Sequence, residues 1–277
     1  MGAYETISVD PVTPRVGALV SGVDLGGPLG NQQFQEIHDA LMRHEVLFFR
    51  DQHMSLDQHK AFGARFGELD VHPGSPGPDG HPEILIIHAD ENSKRVAGER
   101  WHSDVSCLPE PPMGSVLHLH VVPPCGGGDT LFASAGAAYD ALSEPMKQFL
   151  APLTAIHSGD HVYRGRYAHQ GVDDRDKVYP EAQHPIVRTH PVTGRKSLFV
   201  NETFTTRIPE LTPAESRALL DFLTAHIVKP EFQVRFKWAE NSVAFWDNRA
   251  VQHHAMWDYY PEVRSGFRVT IKGDRPF

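Results

Sequence analysis

Two cysteines in 277 residues are too few for a disulfide framework, and Cys107 and Cys125 form no Cys-x-x-Cys metal or redox pattern. A reducing compartment fits, and the cytoplasm is the expected location. No stretch approaches the roughly 20 apolar residues that a membrane span needs, and Met1 to Val9 lacks the basic start and apolar core of a secretion signal. Positive charge is not in excess either. With 35 acidic against 26 basic side chains the net charge is -9, a field that repels phosphate backbones and excludes nucleic acid as the expected partner. Repeats, low-complexity tracts and long linkers are missing too, so the chain reads as one domain over 1–277 with a full hydrophobic core.

What is present begins with turn formers, 22 Pro and 23 Gly, set between short periodic segments. Residues 32–44 carry Phe34, Ile37, Leu41 and Met42 at helical spacing and run into an apolar strand, Val46 to Phe49; a second helix is expected over 56–66. Short strands follow at 84–87, 116–122 and 130–132. The Cys125-Gly126-Gly127-Gly128-Asp129 turn joins the last two, and antiparallel pairing between them is the expectation. A hairpin is predicted over 186–201. Thr212, Pro213 and Glu215 spell a capping box that opens a helix reaching about residue 228. Strands at 232–238, 242–246 and 267–272 close the chain, and the sum predicts a mainly β fold with peripheral helices, a double-sheet jelly roll.

The chemistry-bearing residues are Trp101-His102-Ser103-Asp104 and, far downstream, Trp246-Asp247-Asn248-Arg249 with Gln252-His253. In an extended segment His102 and Asp104 leave the same face, and a remote His253 would complete a two-His, one-carboxylate set that holds Fe(II) on one side and leaves the opposite positions open. The chain has 18 histidines, so the tripeptide alone is weak. His118 and His120, sharing a strand face, and His157 and His161, four apart, are rival pairs without an evident carboxylate partner. His254 would point away from His253.

Arg264 and Arg268 are four apart, with Phe267, Val269 and Ile271 on the other parity. In a strand both guanidiniums then face one cavity, where their planar forks suit carboxylate or sulfonate oxygens. Ordinary solvated strand cations are the alternative.

Together with GGGDTLFAS from Gly126, HPIVRTHPVTGRKSLFVNETFTTRI from His184, HIVKPEFQVRF from His226, FWDNRAVQHHA from Phe245 and the terminal RVTIKGDRPF, these segments resemble the Fe(II)/2-oxoglutarate dioxygenases of the taurine dioxygenase (TauD/TfdA) family. The likeness spans most of the chain. It implies His102, Asp104 and His253 as iron ligands, Arg264 and Thr130 as holders of 2-oxoglutarate, and Arg268, His72 and the Val105 backbone around the acidic head of the prime substrate. It also implies O2 as co-substrate, a jelly-roll core, and a homodimer or homotetramer. Asp104 fills the position that halogenating relatives leave to halide, so hydroxylation is the implied outcome.

The sequence departs from the taurine enzyme at Ser75, Gly98 and around Gly159, where bulkier residues are expected, and a roomier pocket follows. A small organic anion, an alkylsulfonate or alkyl sulfate ester, is the expected substrate. An aryloxyalkanoate is the runner-up, and a non-catalytic metal-binding jelly roll is a third reading.

Overall fold

Side-chain alternation along each strand decides which layer it faces, and the computed structural model, which describes residues 4–71, 77–165 and 173–277, shows four such layers separated by three hydrophobic cores. The strands are β1 (Ser8–Pro11), β2 (Ala18–Ser21), β3 (Val46–Phe49), β4 (Ile84–Ala89), β5 (Gly114–Val121), β6 (Thr130–Ser134), β7 (Thr154–Ser158) and β8 (Glu181–Pro185). They continue as β9 (Val187–Thr189), β10 (Lys196–Leu198), β11 (Thr205–Arg207), β12 (Gln233–Phe236), β13 (Ser242–Asp247), β14 (Val251–Ala255) and β15 (Arg264–Ile271). Among the described residues these build a seven-stranded sheet in the order β1-β2-β3-β13-β5-β15-β4 and a facing three-stranded sheet, β12-β6-β14.

All four residues of β3 are buried because both of its faces are covered. Leu47 and Phe49 meet Ile37, Ala40 and Leu41 of helix α1 (Asn31–His44) and Phe62 of helix α2 (Leu56–Ala64), where Val116, Phe245, Val269 and Ile271 join them. On the other face, Phe48, Leu117, Leu119, Ala244 and Trp246 of the large sheet interdigitate with Phe132, Val234, Phe236 and Val251 of the small one. Phe48 stacks on Phe236 with ring centroids 4.0 Å apart. Ala133, on the opposite parity of β6, belongs to an outer core with Ala137 and Ala138 of helix α3 (Ala135–Asp140), Leu150 of helix α4 (Glu144–Leu150) and Leu220, Leu223 and Ile227 of helix α6 (Pro213–Ile227), while the short helix α5 (Asp160–Tyr163) buries none of its residues. Two sheets back to face with helices outside are the predicted jelly roll.

Local signals acted as written in the sequence. The α6 capping box is present, with Thr212 Oγ1 accepting from the Glu215 N–H while Glu215 returns to the Thr212 N–H. Helix α1 stops at Glu45, whose left-handed backbone (φ 66) lets its N–H reach the Leu41 carbonyl at 2.8 Å and turns the chain straight into β3. The 186–201 hairpin forms as β9 and β10.

One pairing differs from expectation. β5 and β6 do not pair: β5 lies between β13 and β15, and β6 between β12 and β14. Each strand is buried along most of both faces and needs a neighbour on either edge as well as a layer above and below. The Cys125–Asp129 turn therefore crosses from one sheet to the other, helped by positive φ at Gly126 and Gly128. No described helix is long and apolar enough to cross a membrane.

Candidate active site

His102 and His253 come together as a backbone pair before they do so as side chains. The His102 N–H donates to the His253 carbonyl at 3.1 Å and the His253 N–H returns to the His102 carbonyl at 2.9 Å, an antiparallel bridge that extends the small sheet beyond β14. Residues directly opposite in such a pair project to the same side. Their rings consequently lie 4.1 Å apart, centroid to centroid.

Asp104 follows in a turn rather than a strand, and its Oδ1 stands 3.7 Å from His102 Nε2 and 3.9 Å from His253 Nε2. The three donor atoms lie within 4.8 Å of one another, and among the described residues no other group of three or more His, Cys, Asp or Glu side chains comes together in this way. Two bonds of about 2.1 Å can span 3.7 and 3.9 Å, so the set fits a divalent ion with imidazole and carboxylate preferences such as Fe(II). His102 Nδ1 lies 2.8 Å from the Arg100 carbonyl, an acceptor only, which puts the ring proton on Nδ1 and the free lone pair on Nε2. The His253 ring is wedged between Trp246 and Phe132.

Burial opposes charge on Asp104, but the Arg268 guanidinium and the two imidazoles outweigh it and hold the carboxyl well below the usual carboxylate range. His253 is driven well below the usual imidazole range by burial and by the neighbouring His102, which keeps it neutral, the form that ligates metal.

Arg264 and Arg268 share the inward face of β15 as their spacing predicted, while Phe267, Val269 and Ile271 pack under the helices. Arg268 Nη1 is 2.9 Å from Asp104 Oδ1, and its Nε is buried without a hydrogen-bond partner. Arg264 is only 5% exposed, yet among the described residues no carboxylate oxygen lies within 4.0 Å of it. Asp129 is taken by Arg235 at 2.6 Å. The Arg264 head instead donates to the Gly128 carbonyl at 3.0 Å and to Thr130 Oγ1 at 3.4 Å. A cation so deeply buried is costly unless an anion faces it, which fits a carboxylate of 2-oxoglutarate. Gly128 is needed for this fit, since a Cβ there would fall 2.9 Å from Arg264 Cδ.

Sequence reasoning missed Trp238. Its Nε1 donates to Thr130 Oγ1 at 3.0 Å, and its ring lies 5.6 Å from the Arg264 Cζ. With two donors already pointing at it, the Thr130 hydroxyl keeps its own proton for an incoming ligand. A Trp ending a β-rich run gave no local sign of this, because the contact depends on β12 pairing with β6.

Of the other named residues, Val105 sits next to Asp104 with a positive φ of 45, and His72 and Ser75 lie outside the described residues. The roomier pocket is not supported at the two remaining positions. Gly98 has φ 83, and a Cβ on it would stand 3.0 Å from His102 Cε1, so its smallness serves close approach to that ring. At Gly159 the space for a side chain is already met by the Tyr163 ring at 3.1 Å and Cys107 Sγ at 3.2 Å. The rival histidines have other uses: His157 Nδ1 bonds Ser106 Oγ at 2.9 Å, His161 Nε2 bonds the Thr203 carbonyl at 2.8 Å, and His254 turns away to stack on Trp101.

The family model described as taurine catabolism dioxygenase TauD, TfdA family matches residues 8–270. An alkylsulfatase of Acinetobacter baylyi is 34% identical over 98% of this chain and 86% of its own length. An alpha-ketoglutarate-dependent sulfate ester dioxygenase of Pseudomonas putida is 35% identical over 98% and 91%. An (S)-phenoxypropionate/alpha-ketoglutarate-dioxygenase of Sphingobium herbicidovorans is 34% identical over 96% and 95%. Among solved structures, a taurine dioxygenase from Burkholderia xenovorans superposes with a TM-score of 0.84 at 37% identity, covering 98% of this chain and 93% of that one. A structure of AAD-2 in complex with Mn(II) and N-oxalylglycine gives 0.82 at 31%, covering 98% and 99%. The chain belongs to the taurine catabolism dioxygenase family TauD, TfdA, and is a 2-oxoglutarate-dependent dioxygenase.

Proposed function

We propose that this enzyme oxidises an alkylsulfonate or alkyl sulfate ester at the carbon next to the heteroatom, giving an aldehyde and sulfite or sulfate. In this reading His102, Asp104 and His253 hold Fe(II), Arg264 and Thr130 hold 2-oxoglutarate, and Arg268 holds the substrate anion. His72 and the Val105 backbone complete that contact. The observation that carries it is Arg268, an inward guanidinium 2.9 Å from the carboxylate of the metal set with a buried Nε free to donate. An anion gripped there places the adjoining carbon beside the metal position.

When bound, Fe(II) supplies oxygen activation coupled to conversion of 2-oxoglutarate and O2 into succinate and CO2, with the second oxygen atom entering a substrate C–H bond. The chain's part is to orient. Arg264 and Thr130 fix one end of the co-substrate, Arg268 fixes the substrate, and Phe132, Trp246 and Trp238 exclude water around them. The hydroxylated carbon then loses its O–H proton, forms a C=O bond, and releases the sulfur oxyanion with the electrons of the broken bond.

The likeness to the phenoxypropionate enzyme favours a second reading, in which Arg268 holds a carboxylate and the leaving group is a phenol. A panel of alkyl sulfonates, alkyl sulfate esters and aryloxyalkanoates, assayed for sulfite, sulfate and phenol, separates the two. Sulfur oxyanion release supports the first; phenol release alone from the whole panel overturns it. The reading also takes the protein as a single-domain cytoplasmic homodimer or homotetramer, resting on the family resemblance, and light scattering measures its mass.

A further inference from the structure

The Trp246-Asp247-Asn248-Arg249 segment stands beside the metal set without supplying a ligand. Asn248 is 1% exposed, and its side chain grips Asp104 from both sides of the Cα. The Asp104 N–H donates to Asn248 Oδ1 at 2.6 Å, while Asn248 Nδ2 donates to the Asp104 carbonyl and to the Pro112 carbonyl, each at 3.1 Å. One N–H faces one end of the carboxamide and two carbonyls face the other, so the network itself assigns oxygen and nitrogen. The Asn248 N–H is fixed in turn, donating to the Met113 carbonyl at 2.8 Å.

This clamp acts where the chain needs one. Asp104 lies in a turn with no sheet ladder to hold it, and the next residue, β-branched Val105, has a positive φ that persists only where its surroundings enforce it. Ser115 Oγ donates separately to Asp104 Oδ2 at 3.1 Å, which leaves Oδ1 as the oxygen facing both imidazoles. The backbone is thus set by Asn248, while the carboxylate is held by Ser115 at Oδ2 and by Arg268 at Oδ1.

We propose that Asn248 is a positioning residue for Asp104, setting the peptide on which the carboxylate ligand stands. The proposal rests on reading His102, Asp104 and His253 as a metal centre. Changes just outside the ligands of a metal site lower its affinity by about 10- to 100-fold, and Asn248→Ala should fall in that range.

The test is titration of purified metal-free protein with Co(II), read by its visible absorption and by calorimetry, beside thermal melting. Leu223→Ala, a core change in α6, serves as comparator: it should lower the melting temperature and leave Co(II) affinity at the wild-type value. Asn248→Asp is isosteric but replaces the two donors with an acceptor, so it probes the clamp where Asn248→Ala melts too early. Weaker Co(II) binding with an altered spectrum in the Asn248 variants alone supports the role. Affinity within twofold of wild type in both, or an equal loss in Leu223→Ala, overturns it. A wild-type protein that binds no Co(II) overturns the metal reading and this role with it.

Discussion

The indole N–H of Trp238 donates to the Thr130 hydroxyl at 3.0 Å, and the same ring lies against the guanidinium of Arg264, so one side chain fixes both groups assigned to 2-oxoglutarate. Trp238→Phe keeps an aromatic face, smaller than the indole, and removes the donor. Loss of one hydrogen bond of about 1 kcal/mol predicts roughly fivefold weaker 2-oxoglutarate binding with kcat little changed. Calorimetric titration with N-oxalylglycine measures it, and an unchanged affinity would show that the contact is passive.

Arg264→Ala removes the buried cation itself. The expected loss in 2-oxoglutarate affinity is about 2 to 5 kcal/mol, far beyond the effect at Trp238. Arg264→Lys should recover little of it, because an ammonium cannot donate to the Gly128 carbonyl and present two parallel bonds to a carboxylate. The check is the KM for 2-oxoglutarate at saturating substrate.

Arg268→Ala should raise the KM for the prime substrate far more than it weakens N-oxalylglycine binding, where only the lost contact to Asp104 Oδ1 should be felt, if the two guanidiniums serve different ligands. If both ligands weaken equally, the division of labour between Arg264 and Arg268 is wrong.

Gly98→Ala places a Cβ 3.0 Å from His102 Cε1 at a backbone φ of 83, which an alanine adopts poorly. Strain of about 1 to 3 kcal/mol is expected, borne next to His102 of the candidate metal set. Both a lower melting temperature and weaker Co(II) binding should appear, whereas Gly165→Ala, also at positive φ but with open space around it, should change only stability.

Glu45 carries a pH prediction away from the metal set. Burial pushes its carboxyl up to about 7, against the lowering influence of Ser134 and Arg195. The folded chain therefore binds this proton more tightly than the unfolded chain does, so stability is fully present below the ordinary carboxylate range and is lost as pH rises toward about 7. The loss is on the order of 3 kcal/mol. Glu45→Gln should flatten melting temperature against pH between about 4.5 and 7; an unchanged slope would assign the dependence elsewhere.

Elements with strong local signals were legible in the sequence: the capped helix α6, the fully buried β3, the β9–β10 hairpin and the parity of Arg264 and Arg268 all formed as their residues dictate. The candidate metal set was legible by residue type and resemblance, and the three side chains do come together. Its assembly was not, because His102 and His253 meet through a single bridge between distant segments, and Asp104 reaches them from a turn. The pairing of β5 with β6 failed for a related reason: closeness along the chain favours a hairpin, but burying both faces of both strands assigned them to different sheets. Trp238 and Asn248 act through contacts between sheets and loops that leave no periodic trace. Gly98 and Gly159 read as missing bulk, yet one accommodates His102 and the other Tyr163.

The central claim is that two imidazoles and one carboxylate hold a ferrous ion beside an Arg264-anchored keto acid. Its most direct test is anaerobic addition of Fe(II) and then 2-oxoglutarate to the metal-free protein, followed by visible absorption. A weak charge-transfer band that saturates at one iron per chain, and is absent from the His102→Ala/His253→Ala double variant, is the predicted result. No band in the wild-type protein, or the same band in the double variant, would contradict it.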